Sequence, residues 1–533
     1  MLRRGFMTKG AVVMMLVGIG AAHLTQARAE ELPTRIEAVS AFADLIIEHG
    51  RDTYGEEHTP LFVDRLDMET LEGRRTEDDE GNEVLPSNLA RHQNLFRALV
   101  GLTNLTGDQT YRQAAEDAIR YHFDHLRRDC GLLQWGGHRW MDLLTLDYTG
   151  DKGRAHELKF HLPYYELMWE VDPEATAQFI RAFWNAHIVD WRRLDMNRHG
   201  SYERSMGDLW DNEFDPPEPF AESRGLTFIN TGGDLIYSAA MLHRFTGEEG
   251  ALEWSSRLAE MYVRARHPET GLGVYQYTKP ARRNEPPAEG PLEGTLTYSS
   301  YGDRAENQFG AVFGDVAREG WILRSPNSIY GHAGILQLQL AEELGERGED
   351  FLTWTVDGLR AWAEHAYDPE TNLWRPMWAD GTDLTGYEIP RTGYFGREGR
   401  VFEQGETSPM LMWSYAFGHR LSGDPALWET ARAIGRGHDL GDLGTAPGEG
   451  VDVNLDTEAR HPHLVFALAE IIRATDEPAY RDLAERVGDN IIAARFHPEM
   501  RVNVMSLEPL ALVTLEAVLQ NRPEDVPRYN SGR

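Results

Sequence analysis

The chain has 533 residues, 41% hydrophobic and 10% aromatic, and a formal net charge of −33. This composition supports a large core and excludes a disordered chain, while the acidic balance excludes binding to nucleic acid or to an anionic membrane surface. The single cysteine, Cys130, excludes an intrachain disulfide, so the fold must rest on its core.

Residues 1–29 read as an export signal. Arg3-Arg4-Gly5-Phe6-Met7 and Lys9 precede an apolar run from Ala11 to Ala22, and Ala27-Arg28-Ala29 is a small-x-small cleavage site with Glu30 behind it. The arginine pair points to the twin-arginine route, with a Sec signal as the alternative. The apolar run is short for a membrane span, and no other long run follows. The expectation is a soluble protein of the periplasm or beyond, with a mature chain of 30–533. Cleavage removes four basic residues and no acids, taking the net charge from −33 to −37. Such a chain repels polyanions at long range, so an acidic substrate requires a locally basic cleft or a bound metal.

A loose repeat follows. Leu105-Thr106-Gly107-Asp108 leads to Tyr111, Ala114, Ala115 and Ala118; Phe245-Thr246-Gly247 leads to Leu252, Leu258 and Tyr262. The stretch 345–350 leads to Trp354, Leu359 and Trp362; Leu421-Ser422-Gly423-Asp424 leads to Leu427, Ala431 and Ile434; Thr475-Asp476-Glu477 leads to Tyr480, Leu483 and Val487. Apolar spacing of three and four marks helices, and the polar turns mark their starts. Irregularly spaced units of this kind predict an all-α protein of stacked helical hairpins, closed into an α/α toroid, with an open solenoid as the alternative. Small β elements and aromatic loops would line one mouth. No Pro/Gly/Ser-rich linker divides the chain. It therefore reads as a single catalytic domain, 30–533, with an acidic loop at 77–83 and insertions at about 211–222 and 280–293.

Three segments carry candidate chemistry. Trp135-Gly136-Gly137-His138-Arg139-Trp140 offers a histidine between two tryptophans, residues that suit sugar platforms. His156-Glu157-Leu158-Lys159-Phe160-His161 packs two histidines, an acid and a lysine into six residues, read as the start of a helix continuing to Val171. On a helix His156 and Glu157 would point about 100° apart and need not serve one ion. An apolar helix over 179–189 precedes Asp195-Met196-Asn197-Arg198-His199-Gly200, a polar turn of the kind that carries function on a rigid scaffold. Two imidazoles and a carboxylate are a common divalent-metal shell with open positions. His122, His125, His156 and His161 compete with His138 for a place in it. A glycine-broken aromatic loop, 386–396, holds Tyr387, Arg391 and Tyr394 as further cleft candidates.

The order of these residues, with Glu157 following His138 by 19 positions and Arg198-His199 about 40 later, resembles the pectate lyases of polysaccharide lyase family 2 from about residue 85 onward. The resemblance implies an (α/α)7 toroid. It implies His138, Glu157 and His199 as ligands of a divalent metal, Mn2+ above all, and Arg198 as the catalytic base. Lys159, Trp135, Arg391 and Tyr394 would then contact an acidic polysaccharide or oligogalacturonide. The reaction implied is β-elimination at a uronate: loss of the C5 proton and expulsion of the C4 oxygen. Arginine is a poor base in water, so its use there requires desolvation and a neighbouring cation. Rival readings are an inverting glycoside hydrolase drawing two carboxylates from Asp142, Asp147, Asp208 and Asp211, a lyase or epimerase for another uronan, and a non-catalytic glycan-binding protein.

Overall fold

The structure is a computed structural model. It describes residues 32–527 except 79, 151–154, 281–303, 318–322 and 324–325; the export signal lies outside the described residues. Residues Pro33–Arg533 form one compact unit.

Fifteen helices are described, and fourteen pair off. The hairpins are α2 (Gln93–Thr106) with α3 (Gln109–His125), α4 (Tyr165–Val171) with α5 (Pro173–His187), and α6 (Ile229–Thr246) with α7 (Glu249–Arg264). They continue with α9 (Ala333–Leu344) and α10 (Glu349–His365), α11 (Pro409–Ser422) and α12 (Pro425–Gly437), and α13 (Pro462–Thr475) and α14 (Pro478–Arg495). The last helix, α15 (Glu508–Leu519), packs on the first, α1 (Arg35–His49), as a seventh pair, and α15 also packs on α2, which closes the ring. The fold is an α/α toroid of seven pairs among the described residues.

Amphipathicity sorts the helices into two shells. Inner helices are buried almost all round: in α6 every residue from Ile229 to Leu242 is buried, as is every residue of α2 from Gln93 to Thr103. Outer helices bury one stripe. In α3 that stripe is Tyr111, Ala114, Ala115, Ala118, Ile119, His122 and Phe123, the three-and-four spacing read from sequence. All five repeat units fall on outer helices.

The connections set where function sits. Inner helices pass to outer ones through turns of a few residues, capped by side chains such as Asp108 on Thr110 N and Asp424 on Ala426 N. Asp172 alone joins α4 to α5, accepting from Ala175 N ahead of Pro173. Outer helices return to inner ones through long segments such as 126–164, 188–228 and 366–408, all gathered where the inner helices begin. The segment 126–164 supplies two strands, Arg139–Asp142 and Asp147–Gly150, of a three-stranded sheet whose third strand, Pro86–Ser87, comes from the connection between α1 and α2.

Several local expectations are corrected. Residues 156–164 are not helical: Phe160 and Leu162 have φ of 55° and 45°, and helix begins only at Tyr165. Tertiary bonds impose this path, with Phe160 N donating to Asn230 O and Leu162 N to Asp234 Oδ1. The helix expected at 179–189 starts earlier, at Pro173, and ends at His187. The acidic stretch 77–83 closes a short hairpin, Thr76–Glu77 against Glu83–Val84. Residues 204–221 contain neither helix nor strand, whereas the stretch 280–293 lies almost wholly outside the described residues. Helix α8 (Arg304–Phe313) stands outside the pairs. With Trp378, Leu384, Ile389 and Phe395 it builds a second small core that anchors the 386–396 loop.

Candidate metal centre

His138, Glu157 and His199 come from three short loops, the first two within the return segment 126–164 and the third within 188–228, and one ligand atom of each lies within 4.8 Å of the others. His138 Nε2 is 2.9 Å from Glu157 Oε2 and 3.2 Å from His199 Nε2; His199 Nε2 is 3.8 Å from Glu157 Oε1. Two nitrogens 3.2 Å apart subtend about 100° at an ion about 2.1 Å from each, and the His138–Glu157 separation gives about 90°. The three donors can therefore reach one first-row ion together. Of the competing histidines, His122 Nδ1 bonds to Ala118 O inside α3 and His161 Nδ1 accepts from Lys159 N, while His125 is exposed at the end of α3 beside Tyr121.

Backbone pairing brings the loops together. Gly136 pairs with Glu157, Gly137 N donating to Glu157 O at 2.8 Å, and His156 exchanges two bonds with Gly200. Gly136 has φ of 113°, and a Cβ there would stand 2.1 Å from Glu157 O, so only glycine fits. Asn88 grips the same residue from behind, donating to Gly136 O and accepting from Gly136 N. Nothing in the sequence around Asn88 signalled this role.

Glu157 is fully buried, yet two cations reach it: Lys159 Nζ at 2.5 Å and Arg198 Nε at 3.1 Å. Burial alone would raise its pKa. The His138 hydrogen bond and the charges of Arg198 and Lys159 outweigh burial and hold the carboxyl well below its usual range. Burial, with help from Arg198, pushes His199 down to about 3, against the pull of Glu157. At neutral pH the acid is therefore ionised and His199 is neutral, the forms that ligate a metal. One carboxylate against two fixed cations also leaves the centre locally positive in an otherwise acidic protein.

Arg198 stands at the rim. Its Nε donates to His199 Nε2 at 3.0 Å, its guanidinium lies 5.4 Å from the centre of the Phe228 ring, and its two terminal nitrogens make no hydrogen bond among the described residues. Arg304, at the start of α8, lies 4.6 Å from the same ring and 4.2 Å from Tyr394. Thus Tyr394 joins the centre through Arg304 and Phe228, two residues the sequence reading did not single out. Arg391 Nε is tied to Gln308 O.

Trp135 requires a correction. It is 1% exposed, packs edge-on against Phe179 and donates Nε1 to His156 Nε2, so it has no open face for a sugar. Of the carboxylates of the hydrolase reading, Asp142 and Asp147 are cross-strand partners. Asp142 accepts from Leu85 N, Leu144 N and the Thr145 hydroxyl, while Asp147, Asp208 and Asp211 are exposed.

Sequence comparison matches residues 59–533 to the family described as periplasmic pectate lyase. A pectate disaccharide-lyase of Dickeya dadantii (strain 3937) is 32% identical over 525 residues, spanning 95% of this chain and 92% of that protein. Among solved structures, the chain is similar to the GH76A α-1,6-mannanase from Salegentibacter sp. HEL1_6 (11% identity, 91% and 99% covered, TM-score 0.38) and to cellobiose 2-epimerase from Bacillus thermoamylovorans B4167 (8%, 91% and 98%, 0.40). The chain belongs to the periplasmic pectate lyase family and is a polysaccharide lyase.

Proposed function

We propose that this member of the periplasmic pectate lyase family is a metal-dependent pectate lyase in which Arg198 is the base. The observation that carries the reading is the place of Arg198: its guanidinium touches both Glu157 and His199, at 3.1 and 3.0 Å, with its terminal nitrogens free to meet a substrate. His138, Glu157 and His199 would hold a divalent ion, Mn2+ by family resemblance. When bound, the ion neutralises the uronate carboxylate and, as a Lewis acid, stabilises the charge that develops when C5 loses its proton.

The protein's own groups do the rest. Arg198 takes the C5 proton; the C5–H electrons become the C4=C5 double bond, and the C4–O pair leaves with the glycosidic oxygen, which takes a proton from water. Arginine is suited to this only where its charged form is disfavoured, by desolvation and a neighbouring cation. Lys159 and the ion would supply the neighbouring positive charge. The local excess of positive charge lets a protein of net charge −33 accept a polyuronate. Residues 1–29 would export the enzyme towards the periplasm.

The test is to strip the purified mature protein with chelator, add polygalacturonate, and follow the ultraviolet absorbance of the unsaturated product. Absorbance should stay flat until Mn2+ is restored. New reducing ends without that absorbance would replace the lyase by a hydrolase.

A further inference from the structure

Behind the three ligands lies a second group of residues that the proposed reaction does not use. Trp135 Nε1 donates to His156 Nε2 at 3.2 Å. His156 Nδ1 is 2.9 Å from His187 Nε2, and His187 Nδ1 is 2.7 Å from Asn197 O. An indole N–H only donates and a carbonyl only accepts. Only one proton arrangement therefore satisfies all three bonds. His156 carries its proton on Nδ1 and gives it to His187; His187 carries its own on Nδ1 and gives it to the Asn197 carbonyl. Both rings must be neutral. Burial holds them so: His187 is pushed down to about 4, and His156 lies well below the usual imidazole range.

The chain's endpoints matter more than its protons. Trp135 stands three residues before His138, His156 directly before Glu157, and Asn197 directly before Arg198-His199. Each loop that delivers a ligand thus has one member in the relay. The fourth member, His187, is the last residue of α5, a helix of the rigid ring. Both histidines are 0% exposed; His156 lies against Phe179, Phe183 and Tyr202, and His187 against Phe183. Gly200 makes room for the contact, since a Cβ there would stand 2.5 Å from the His187 ring.

Resting on the lyase reading above, we infer that His156 and His187 are positioning residues: a one-directional hydrogen-bond relay, anchored on the end of α5, that sets the three ligand-bearing loops in register. It touches neither substrate nor metal. A packed aromatic core alone could hold the loops near one another, but it would not fix their register, because an apolar contact has no preferred direction. Residues that orient metal ligands from behind are worth about 10- to 100-fold in metal affinity.

Three variants of the mature protein test it. His187→Phe keeps the packing and breaks two bonds; His187→Gln keeps one acceptor and one donor; Trp135→Phe removes only the indole donor. Each is titrated with Mn2+ by calorimetry, and hydrogen exchange is followed over the loops 135–138, 156–160 and 197–200. Phe at 187 should weaken Mn2+ binding about 10- to 100-fold and speed exchange in all three loops together. Gln should restore binding to within about threefold, and Trp135→Phe should fall between. Wild-type Mn2+ affinity in His187→Phe, or equal weakening in His187→Gln and His187→Phe, overturns the relay. If the wild-type protein itself binds no Mn2+, the metal-dependent reading fails. Exchange then decides the relay alone: joint loosening of three loops supports it, and loosening of 197–200 only defeats it.

Discussion

Two clusters of buried charge lie at opposite ends of the inner helices. Near the C-terminal ends of α9, α11 and α13, Arg420 and Arg473 each bridge Glu342 and Glu470, at distances from 2.5 to 3.1 Å. Two cations meet two acids, all on helices, and the charges cancel. At the N-terminal ends, Glu157 faces Lys159, Arg198 and two histidines, all on loops held by backbone bonds and the His156–His187 relay. The first cluster can only join helices. The second has positive charge left over and three potential ligand atoms close together, which would suit it to an ion and an anionic substrate. Charge balance and the element that carries the charge, more than burial, separate the two.

The comparison can be broken in order of expected effect. Glu157→Gln should lower Mn2+ affinity by at least about 100-fold, measured by calorimetry, because it removes the only anionic ligand and leaves two cations without their acid. Glu470→Gln at the other end should do the reverse. It should leave lyase activity near wild type while costing about 3 kcal/mol of stability in thermal unfolding, since it strands Arg420 and Arg473 in a buried setting. Equal effects of the two substitutions on metal binding would erase the distinction.

A smaller effect concerns pH. His199 and His187 titrate at about 3 and 4 in the folded protein, against 6.5 as the ordinary value. Between those limits the unfolded chain binds protons that the folded chain does not, so folding stability falls as pH falls from about 6.5 towards 3. Glu157 acts in the same direction below the ordinary carboxylate range, because its folded pKa is depressed. The melting temperature of the metal-free protein should therefore drop steadily through this window. A flat profile from pH 6.5 to 4 would contradict the neutral, buried state of these histidines.

How much of this was legible in the sequence follows from the same physics. The outer helices were, because one polar face leaves the three-and-four spacing visible and the capping turns mark their starts. The inner helices were not: Ile229–Leu242 has no exposed face, so periodicity has nothing to contrast. The ligand set His138, Glu157 and His199 was reached through residue types and family resemblance, and the structure brings those atoms together. The loop at 156–164 reads as helix in sequence because the residues that impose its path, Asn230 on Phe160 and Asp234 on Leu162, lie 70 and 72 positions away. His187 falls unremarked inside the apolar helix read over 179–189, and Trp135 reads as a sugar platform; only tertiary contact shows each as part of the relay.

The most direct test of the central claim is Arg198→Ala, assayed twice: for unsaturated product from polygalacturonate, and for Mn2+ binding. The account predicts a loss of activity of about 1000-fold with Mn2+ affinity close to wild type, as expected for a base beside the ligands. Activity within tenfold of wild type, or a loss of Mn2+ binding as large as the loss of activity, would contradict it.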